Sequence, residues 1–103
     1  MRARLALAAL LLASPATAFD LQGHRGARGL APENTLLAFA KALTLGVSTL
    51  EFDLGITRDG TVIVAHDRHL NPDITRGPDG NWIASPGPRV RDLTLAEIAG
   101  YDV

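Results

Sequence analysis

Two acidic residues in an otherwise apolar segment are the first residues of this sequence that could do chemistry. Glu51 and Asp53 are two positions apart in a segment with strand character, so their side chains project to the same face. Neighbouring carboxylates repel each other, and burial disfavours their charged forms. A divalent cation such as Mg²⁺ or Ca²⁺ resolves both problems. Pairing of one carboxylate with Arg25 or Arg28, while the other reaches solvent, explains the pattern equally well.

Histidines stand on both sides of this acidic pair in the sequence. His24 ends the first apolar segment and His66 follows the third, so each lies where a strand is expected to end. An imidazole base and an imidazole acid flanking a metal are what in-line displacement at a phosphoester requires. Arg25 adds a guanidinium suited to phosphate, although a surface ion pair accounts for it as well. Considered singly, His24 is explained by a hydrogen bond to backbone, and His69 by solvation in a loop.

Short strands and one helix are predicted to position these groups. The predicted strands cover residues 19–24, 47–54 and 61–65. Asn34 or Thr35 caps the helix between the first two strands, and Gly46 follows its end. Its apolar positions are Leu36, Leu37, Phe39, Ala40 and Leu43. This order is typical of parallel strands in an α/β fold, whose carboxyl ends meet at one edge and carry the functional residues.

The second half of the sequence has a long interruption before its next element. Residues 67–91 contain four prolines and three glycines and are predicted to form a loop, which at this length is usually functional or mobile. Arg58-Asp59-Gly60 predicts a turn before the third strand. A helix is predicted over residues 94–99, with Thr94 as N-cap and Glu97 completing a capping box.

The N-terminal residues indicate an exported protein, and the net charge excludes one class of partner. Residues 1–18 combine a basic start, a nine-residue apolar run over 5–13 and a small-residue cleavage pattern, which predicts a signal peptide and a periplasmic or secreted location. The apolar run is too short for a stable membrane anchor. Loss of Arg2 and Arg4 leaves eight basic against eleven acidic residues, a net charge of −3, which excludes a basic nucleic-acid surface. Without cysteine, disulfides and thiolate zinc sites are impossible.

Five short motifs, in order within 44 residues, resemble the glycerophosphodiester phosphodiesterase family. They are His24-Arg25-Gly26, Ala31-Pro32-Glu33-Asn34-Thr35, Glu51-Phe52-Asp53, Thr57-Arg58-Asp59-Gly60 and Val64-Ala65-His66-Asp67. The likeness extends over residues 19–103 and is greatest to exported bacterial members, of which this chain matches only the N-terminal part. It implies a (β/α)₈ TIM barrel of the phospholipase C-like phosphodiesterase type. It also implies hydrolysis of deacylated phospholipids to an alcohol and glycerol 3-phosphate.

Roles for individual residues follow from the resemblance. His24 and His66 would be the catalytic base and acid, and Arg25 would hold the substrate phosphate. Glu51 and Asp53 would ligate a divalent metal, Ca²⁺ or Mg²⁺; the family's third metal carboxylate comes from a later strand and has no counterpart in this sequence. A glycerol hydroxyl would attack the phosphorus first, and water would then open the cyclic phosphate.

Two further motif residues, Glu33 and Asn34, are interpreted as structural because they stand at a helix start, where side-chain acceptors satisfy free N–H groups. A secondary role for Glu33 in the site stays open. The four residues His24, Glu51, Asp53 and His66 are expected to converge on one small volume.

The length departs from the family. A barrel takes about 250 residues, and 85 of the 103 remain after the predicted signal peptide. Three parallel strands alone would expose apolar faces and two sheet edges, so residues 19–103 in isolation are expected to fold poorly and to be nearly inactive. Two alternatives remain. One is a non-catalytic remnant that needs a complementing chain; the other is a related phospholipase D-like or phosphoinositide-specific barrel enzyme.

Overall fold

A computed structural model of the chain describes residues 19–103. Its elements are β1 (Gln22–His24), α1 (Leu36–Thr44), β2 (Thr49–Glu51), β3 (Leu54–Ile56), β4 (Val62–Val64), a 3₁₀ turn (Val90–Asp92) and α2 (Leu95–Ile98). The predicted signal peptide lies outside the described residues and stays a prediction. Within residues 19–103, no helix is both long enough and apolar enough to cross a membrane.

The first three elements form a parallel strand–helix–strand unit. β1 pairs in parallel with β2, and α1 connects them. The register sets His24 directly opposite Glu51. This confirms the predicted parallel pair, although both strands are shorter than expected because residues 19–21 and 47–48 lie outside the ladder.

Small residues hold α1 close to the end of β1. The Thr35 hydroxyl caps the helix by accepting a hydrogen bond from the Ala38 backbone N–H. Ala38 and Ala42 are fully buried. A Cβ on Gly26 would lie 2.8 Å from the Ala38 Cβ, and one on Gly23 would lie 3.0 Å from the Ala42 Cβ. The helix therefore approaches the strand more closely than larger side chains would permit.

The leucines that indicated the helix are not its buried face. Leu36 is 88% exposed, and Leu37 and Leu43 are also mostly exposed. These leucines form an apolar face of α1 that is separate from the face where Ala38 and Ala42 pack on β1. Two apolar faces on one helix are typical of an element that lies between layers of a larger fold.

The predicted third parallel strand is instead one arm of a hairpin. β3 and β4 are antiparallel, with Leu54 opposite Val64 and Ile56 opposite Val62. The prediction of three parallel strands was therefore wrong, and the predicted strand over 47–54 ends at Glu51. Five residues separate β3 from β4, and a parallel crossover needs about a dozen or more.

A tight turn closes this hairpin where the sequence predicted one. Gly60 has a φ of +82°, and the Thr57 backbone N–H donates to the Thr61 carbonyl at 2.9 Å. The paired residues Leu54, Ile56, Val62 and Val64 are all exposed. They form an open aliphatic face, as expected of barrel strands without their neighbours.

The segment over residues 67–91 is a loop, as predicted, and backbone hydrogen bonds connect it to other parts of the fold. Arg76 forms isolated backbone bridges with both Trp82 and Asp102, and its guanidinium lies 4.3 Å from the centre of the Trp82 ring. Thr75 and Val90 of the same segment are buried. These bridges tie the loop to the C-terminal residues of the chain.

The capping box of α2 is confirmed. The Glu97 backbone N–H donates to the Thr94 hydroxyl, and the Glu97 carboxylate accepts from the Thr94 backbone N–H at 2.7 Å. The same carboxylate lies 3.0 Å from the Arg58 guanidinium. The cap therefore also joins α2 to the hairpin turn.

Replacement of Gly26 by alanine tests the close approach of α1. Gly26 has a φ of +85°, and the added Cβ would lie 2.7 Å from the Ala38 backbone carbonyl carbon. Gly29 is the matched control because its φ is +94° but nothing lies within 4 Å of an added Cβ. In urea unfolding, we expect Gly29→Ala to cost about 1 kcal/mol from backbone strain alone. We expect Gly26→Ala to cost at least about 2 kcal/mol more. Equal losses would contradict this packing.

Acid titration tests the capping box. The backbone and hydroxyl hydrogen bonds from Thr94 lower the pKa of Glu97 from its ordinary value of 4.5. The folded-state pKa is depressed, so the stabilisation is present above pH 4.5 and is lost as the pH falls through the lower folded value. In Glu97→Gln, unfolding measured between pH 6 and pH 3 should lack this component of the pH dependence. An unchanged profile would contradict the assignment.

Candidate active site

The carboxyl ends of the two parallel strands bring an imidazole beside a carboxylate. His24 closes β1 and Glu51 closes β2, and the His24 Nε2 atom lies 3.8 Å from the Glu51 Oε2 atom. Both side chains are partly open to solvent. Two of the four residues expected to converge are therefore in contact, since parallel strands in register end at the same edge.

Arg25 lies between the acidic residues of this site. Its backbone N–H donates to the Glu51 Oε2 atom at 2.9 Å. Its Nη1 atom donates to the Glu33 Oε1 atom at 2.8 Å, and its Nε atom lies 3.7 Å from the Asp53 Oδ2 atom. The side chain is only 11% exposed. A positive φ of +51° turns the chain sharply here, so backbone and guanidinium address different carboxylates.

Glu33 pairs with two arginines. Besides holding Arg25, its Oε2 atom lies 2.9 Å from the Arg28 Nε atom, and its side chain is 10% exposed. The interpretation of Glu33 as a helix-start residue was wrong, because Thr35 caps α1 and the Glu33 carboxylate is directed to the arginines. Sequence reasoning had left its place in the site open, and the ion pairs now define it.

Asn34 closes the loop between β1 and α1 through its backbone. Its N–H donates to the Arg25 carbonyl at 2.9 Å, and its φ is +59°. Its Oδ1 atom is buried without a hydrogen-bond partner. Asn34 therefore does not cap α1, and the left-handed conformation, which asparagine tolerates well, explains the residue type.

Asp53 retains acceptor capacity. Its Oδ2 atom and the neighbouring Arg25 Nε atom are both buried without a hydrogen-bond partner, at a separation too long for a hydrogen bond. The ion-pair explanation for the acidic pair is thus realised in part, and the divalent cation stays a prediction. Arg25 compensates the charge of Asp53 at a distance, and the carboxylates of Glu51 and Asp53 are not consumed by bidentate ion pairs.

His66 follows the hairpin, and its backbone lies close to that of Asp53. The Ala65 backbone N–H donates to the Asp53 carbonyl at 3.0 Å, which fixes the start of the His66 segment beside the acidic pair. The His66 Nδ1 atom lies 2.8 Å from the Asp67 Oδ1 atom. A carboxylate at Nδ1 orients an imidazole and leaves Nε2 for chemistry. Asp67 was not singled out from the sequence, although its position directly after His66 was the available signal.

The loop histidine, His69, is not simply solvated. It is half-buried and lines a cavity of about 160 Å³ together with Glu33, Asn34 and His66. The walls of this cavity are mostly apolar and come from β4, the long loop and the C-terminal residues. His69 lies in the loop, as predicted, but its side chain is only partly exposed to solvent.

The donor set fits a hard divalent cation in part. Glu51 and Asp53 supply carboxylate oxygens of the kind that Mg²⁺ and Ca²⁺ prefer, and the Asp53 Oδ2 atom lacks a partner. Within residues 19–103, no group of three acidic, histidine or cysteine side chains is close enough together to hold a metal. The two carboxylates are thus suited to contribute two ligands.

The Glu33 ion pairs can be tested by stability. Glu33→Gln removes the carboxylate from a buried pair and leaves the Arg25 charge without its closest partner, which should cost about 3 kcal/mol. Arg28→Gln is the matched control, because the Arg28 side chain is 51% exposed and its loss leaves the Arg25 pair intact. It should cost less than about 1 kcal/mol in the same urea titration. Equal losses of unfolding free energy in the two variants would contradict the inference that the buried Arg25–Glu33 pair stabilises the fold.

Comparison with known proteins bears on this geometry. A Bacillus subtilis protein named glycerophosphodiester phosphodiesterase is 40% identical over 79 residues, which are 77% of this chain and 24% of the relative. A crystal structure from Silicibacter pomeroyi, described as a candidate glycerophosphoryl diester phosphodiesterase, superposes with a TM-score of 0.80. It is 44% identical, over 85% of this chain and 30% of that one.

A Thermotoga maritima glycerophosphodiester phosphodiesterase superposes with a TM-score of 0.63 at 31% identity, over 80% of this chain and 32% of that one. The chain thus spans less than a third of the length of each of these three proteins. These neighbours confirm the predicted fold class, since the described residues form an incomplete portion of a (β/α)₈ barrel. Residues 24–103 match the glycerophosphoryl diester phosphodiesterase family, and the chain belongs to that family.

Proposed function

We propose that the site hydrolyses glycerophosphodiesters, with a divalent metal, to an alcohol and glycerol 3-phosphate. The observation that carries the proposal is the arrangement of His24 beside Glu51 at the strand ends, with Arg25 bound to Glu51 through its backbone and held beside Asp53. His66 follows Ala65, whose backbone N–H donates to the Asp53 carbonyl. These contacts support a site that combines the His24–Glu51 pair with His66, which comes from a separate element.

In this proposal the two histidines exchange protons with the substrate. His24 takes the proton from the attacking glycerol hydroxyl as the bond to phosphorus forms. His66, oriented by Asp67, gives a proton to the alcohol oxygen as its bond to phosphorus breaks. Water then opens the cyclic phosphate with the proton transfers reversed, and the products are an alcohol and glycerol 3-phosphate.

The acidic residues and Arg25 have supporting roles. Glu51 and Asp53 would hold Ca²⁺ or Mg²⁺, which when bound stabilises negative charge on the phosphoryl oxygens. Arg25 would attract the phosphate as a fixed positive charge at the base of the site. Because Glu33 already binds its Nη1 atom, Arg25 is preorganised and does not have to be ordered by the substrate.

The same proposal includes low turnover and export. The open aliphatic face of the hairpin and the exposed leucines of α1 leave the site less firmly supported than in the longer relatives, so we expect a rate well below theirs. The N-terminal pattern over residues 1–18 supports a periplasmic or secreted location. The substrate is a small soluble molecule, and the acidic net charge of residues 19–103 disfavours nucleic acid.

A non-catalytic role is the second candidate. It is favoured by the small number of buried apolar residues among the described ones, Ala38, Ala42 and Val90. A chain of this kind would bind ligand or a complementing chain without turnover. A related phospholipase D-like or phosphoinositide-specific barrel enzyme that carries out only the first, intramolecular transfer would instead release the alcohol and the cyclic phosphate, with no water consumed.

The test is release of glycerol 3-phosphate from glycerophosphocholine by the full chain. With Ca²⁺ or Mg²⁺ we expect release above the rate without protein and its loss on chelation with EDTA. His66→Ala should lower the rate by at least about a hundredfold, which is the usual contribution of a general acid. His69→Ala is the matched control, because it removes a nearby histidine without a proposed role, and it should leave the rate within about twofold.

Three results would contradict the proposal. Release that survives in both His66→Ala and EDTA would show that the activity comes from elsewhere. Binding of glycerophosphocholine without any release would favour the non-catalytic role. Accumulation of cyclic phosphate as the end product would favour the related barrel enzymes.

A further inference from the structure

Three arginines that the site does not use lie together. Residues 19–103 contain seven arginines, and four of them have partners among the described residues. Arg25 and Arg28 pair with Glu33, Arg58 pairs with Glu97, and Arg76 stacks on Trp82 and donates to the Gly80 carbonyl. Within the described part of the chain, the remaining three form no ion pair or side-chain hydrogen bond. They are Arg68, Arg89 and Arg91.

All three line one open groove of about 490 Å³. The backbone brings them together, because the Val90 N–H donates to the Arg68 carbonyl at 2.9 Å and Arg89 forms an antiparallel bridge with His69. Arg68 is distant in the sequence from Arg89 and Arg91. The fold therefore gathers charges that the sequence does not show as a cluster.

The groove is positive on an otherwise acidic chain. Its only acidic lining residue is Asp67, which already lies 2.8 Å from the His66 imidazole. Residues 19–103 carry a net charge of −3, so the groove has the opposite sign to its surroundings. Three guanidinium groups without carboxylate partners are suited to a phosphate, which they can bind through paired N–H donors.

His66 connects this groove to the proposed reaction. It lines the groove as well as the cavity beside Glu33, and it is the residue that would protonate the departing alcohol. The alcohol part of a substrate would therefore leave the phosphorus on the His66 side, towards the three arginines. Leu54 and Ile56 of β3 line the same groove.

We propose that the groove binds a second anionic group on the alcohol part of the substrate. The site would then prefer glycerophosphodiesters whose alcohol carries its own phosphate over those whose alcohol is neutral or cationic. This inference rests on the proposed function, because it uses His66 as the group that faces the leaving alcohol. A cationic alcohol such as choline would be repelled by the three arginines.

Calorimetric binding to the full chain tests this preference. The probes are glycerophosphoglycerol phosphate, glycerophosphoglycerol and glycerophosphocholine, of which the first two differ by a single phosphate on the alcohol. We expect the first to bind at least about tenfold more tightly than the second, since charge-assisted contacts have this strength. The ratio should shrink as salt is raised, because exposed charges are screened. Equal affinities would overturn the proposal.

Variants assign the effect to the groove. The triple change Arg68→Gln, Arg89→Gln and Arg91→Gln should abolish the preference, and the single change Arg91→Gln should reduce it. Lys41→Gln is the control for the single change, because Lys41 is also an exposed cation but lies on α1, outside the groove. A preference that survives the triple change would overturn the proposal, as would equal effects of Arg91→Gln and Lys41→Gln.

Pyrophosphate separates failure of this inference from failure of the proposed function. In one outcome the original chain binds pyrophosphate but no diester, and the triple variant loses pyrophosphate binding. In that case the groove binds phosphate, the proposed function fails, and the preference that rests on it is overturned. Diesters that all bind equally well would leave the proposed function standing and overturn the groove alone. Binding to phosphatidylglycerol vesicles through the same arginines, without discrimination among soluble diesters, would assign the groove to a membrane surface and overturn the proposal.

Discussion

One buried arginine compensates the acidic residues around which this fold is arranged. Arg25 binds Glu51 through its backbone N–H, Glu33 through its guanidinium, and lies within 3.7 Å of Asp53. Without its guanidinium, Asp53 would lose the positive charge that faces it, and Glu33 would keep only the more exposed Arg28 as a partner. The conformation of the loop from β1 to α1 follows from this requirement, including the positive φ angles of Arg25 and Asn34.

The two halves of the candidate site come from different kinds of structure. The parallel pair supplies His24 and Glu51 in register, and the antiparallel hairpin supplies His66 next to the backbone of Asp53. The hairpin also turns His66 towards a groove of opposite charge to the rest of the chain. The His66 imidazole therefore lies between the cavity beside Glu33 and the groove that the three arginines line.

Local sequence patterns predicted the helix caps and the turn, whereas the pairing of strands and of charged side chains was predicted less well. The capping residues Thr35 and Thr94 and the turn before β4 are fixed by short-range hydrogen bonds, which their sequence motifs describe directly. The direction of β4 depends on how many residues separate it from β3. The prediction of three parallel strands used only the order of strands and helices and did not take this short connection into account. The pairing of Glu33 with arginines, and the meeting of Arg68 with Arg89, depend on long-range backbone contacts that no local motif encodes.

The proposed function requires that Glu51 and Asp53 hold one divalent cation, with His24 and His66 close to it. Titration of the full, isotope-labelled chain with Mn²⁺ tests this requirement, because paramagnetic broadening falls off steeply with distance from the ion. We expect the resonances of all four residues to broaden together at low Mn²⁺ and to be restored by Ca²⁺ or Mg²⁺. Glu51→Gln with Asp53→Asn should abolish the effect. Broadening of the carboxylate residues without His66, or broadening centred elsewhere in the chain, would contradict the account.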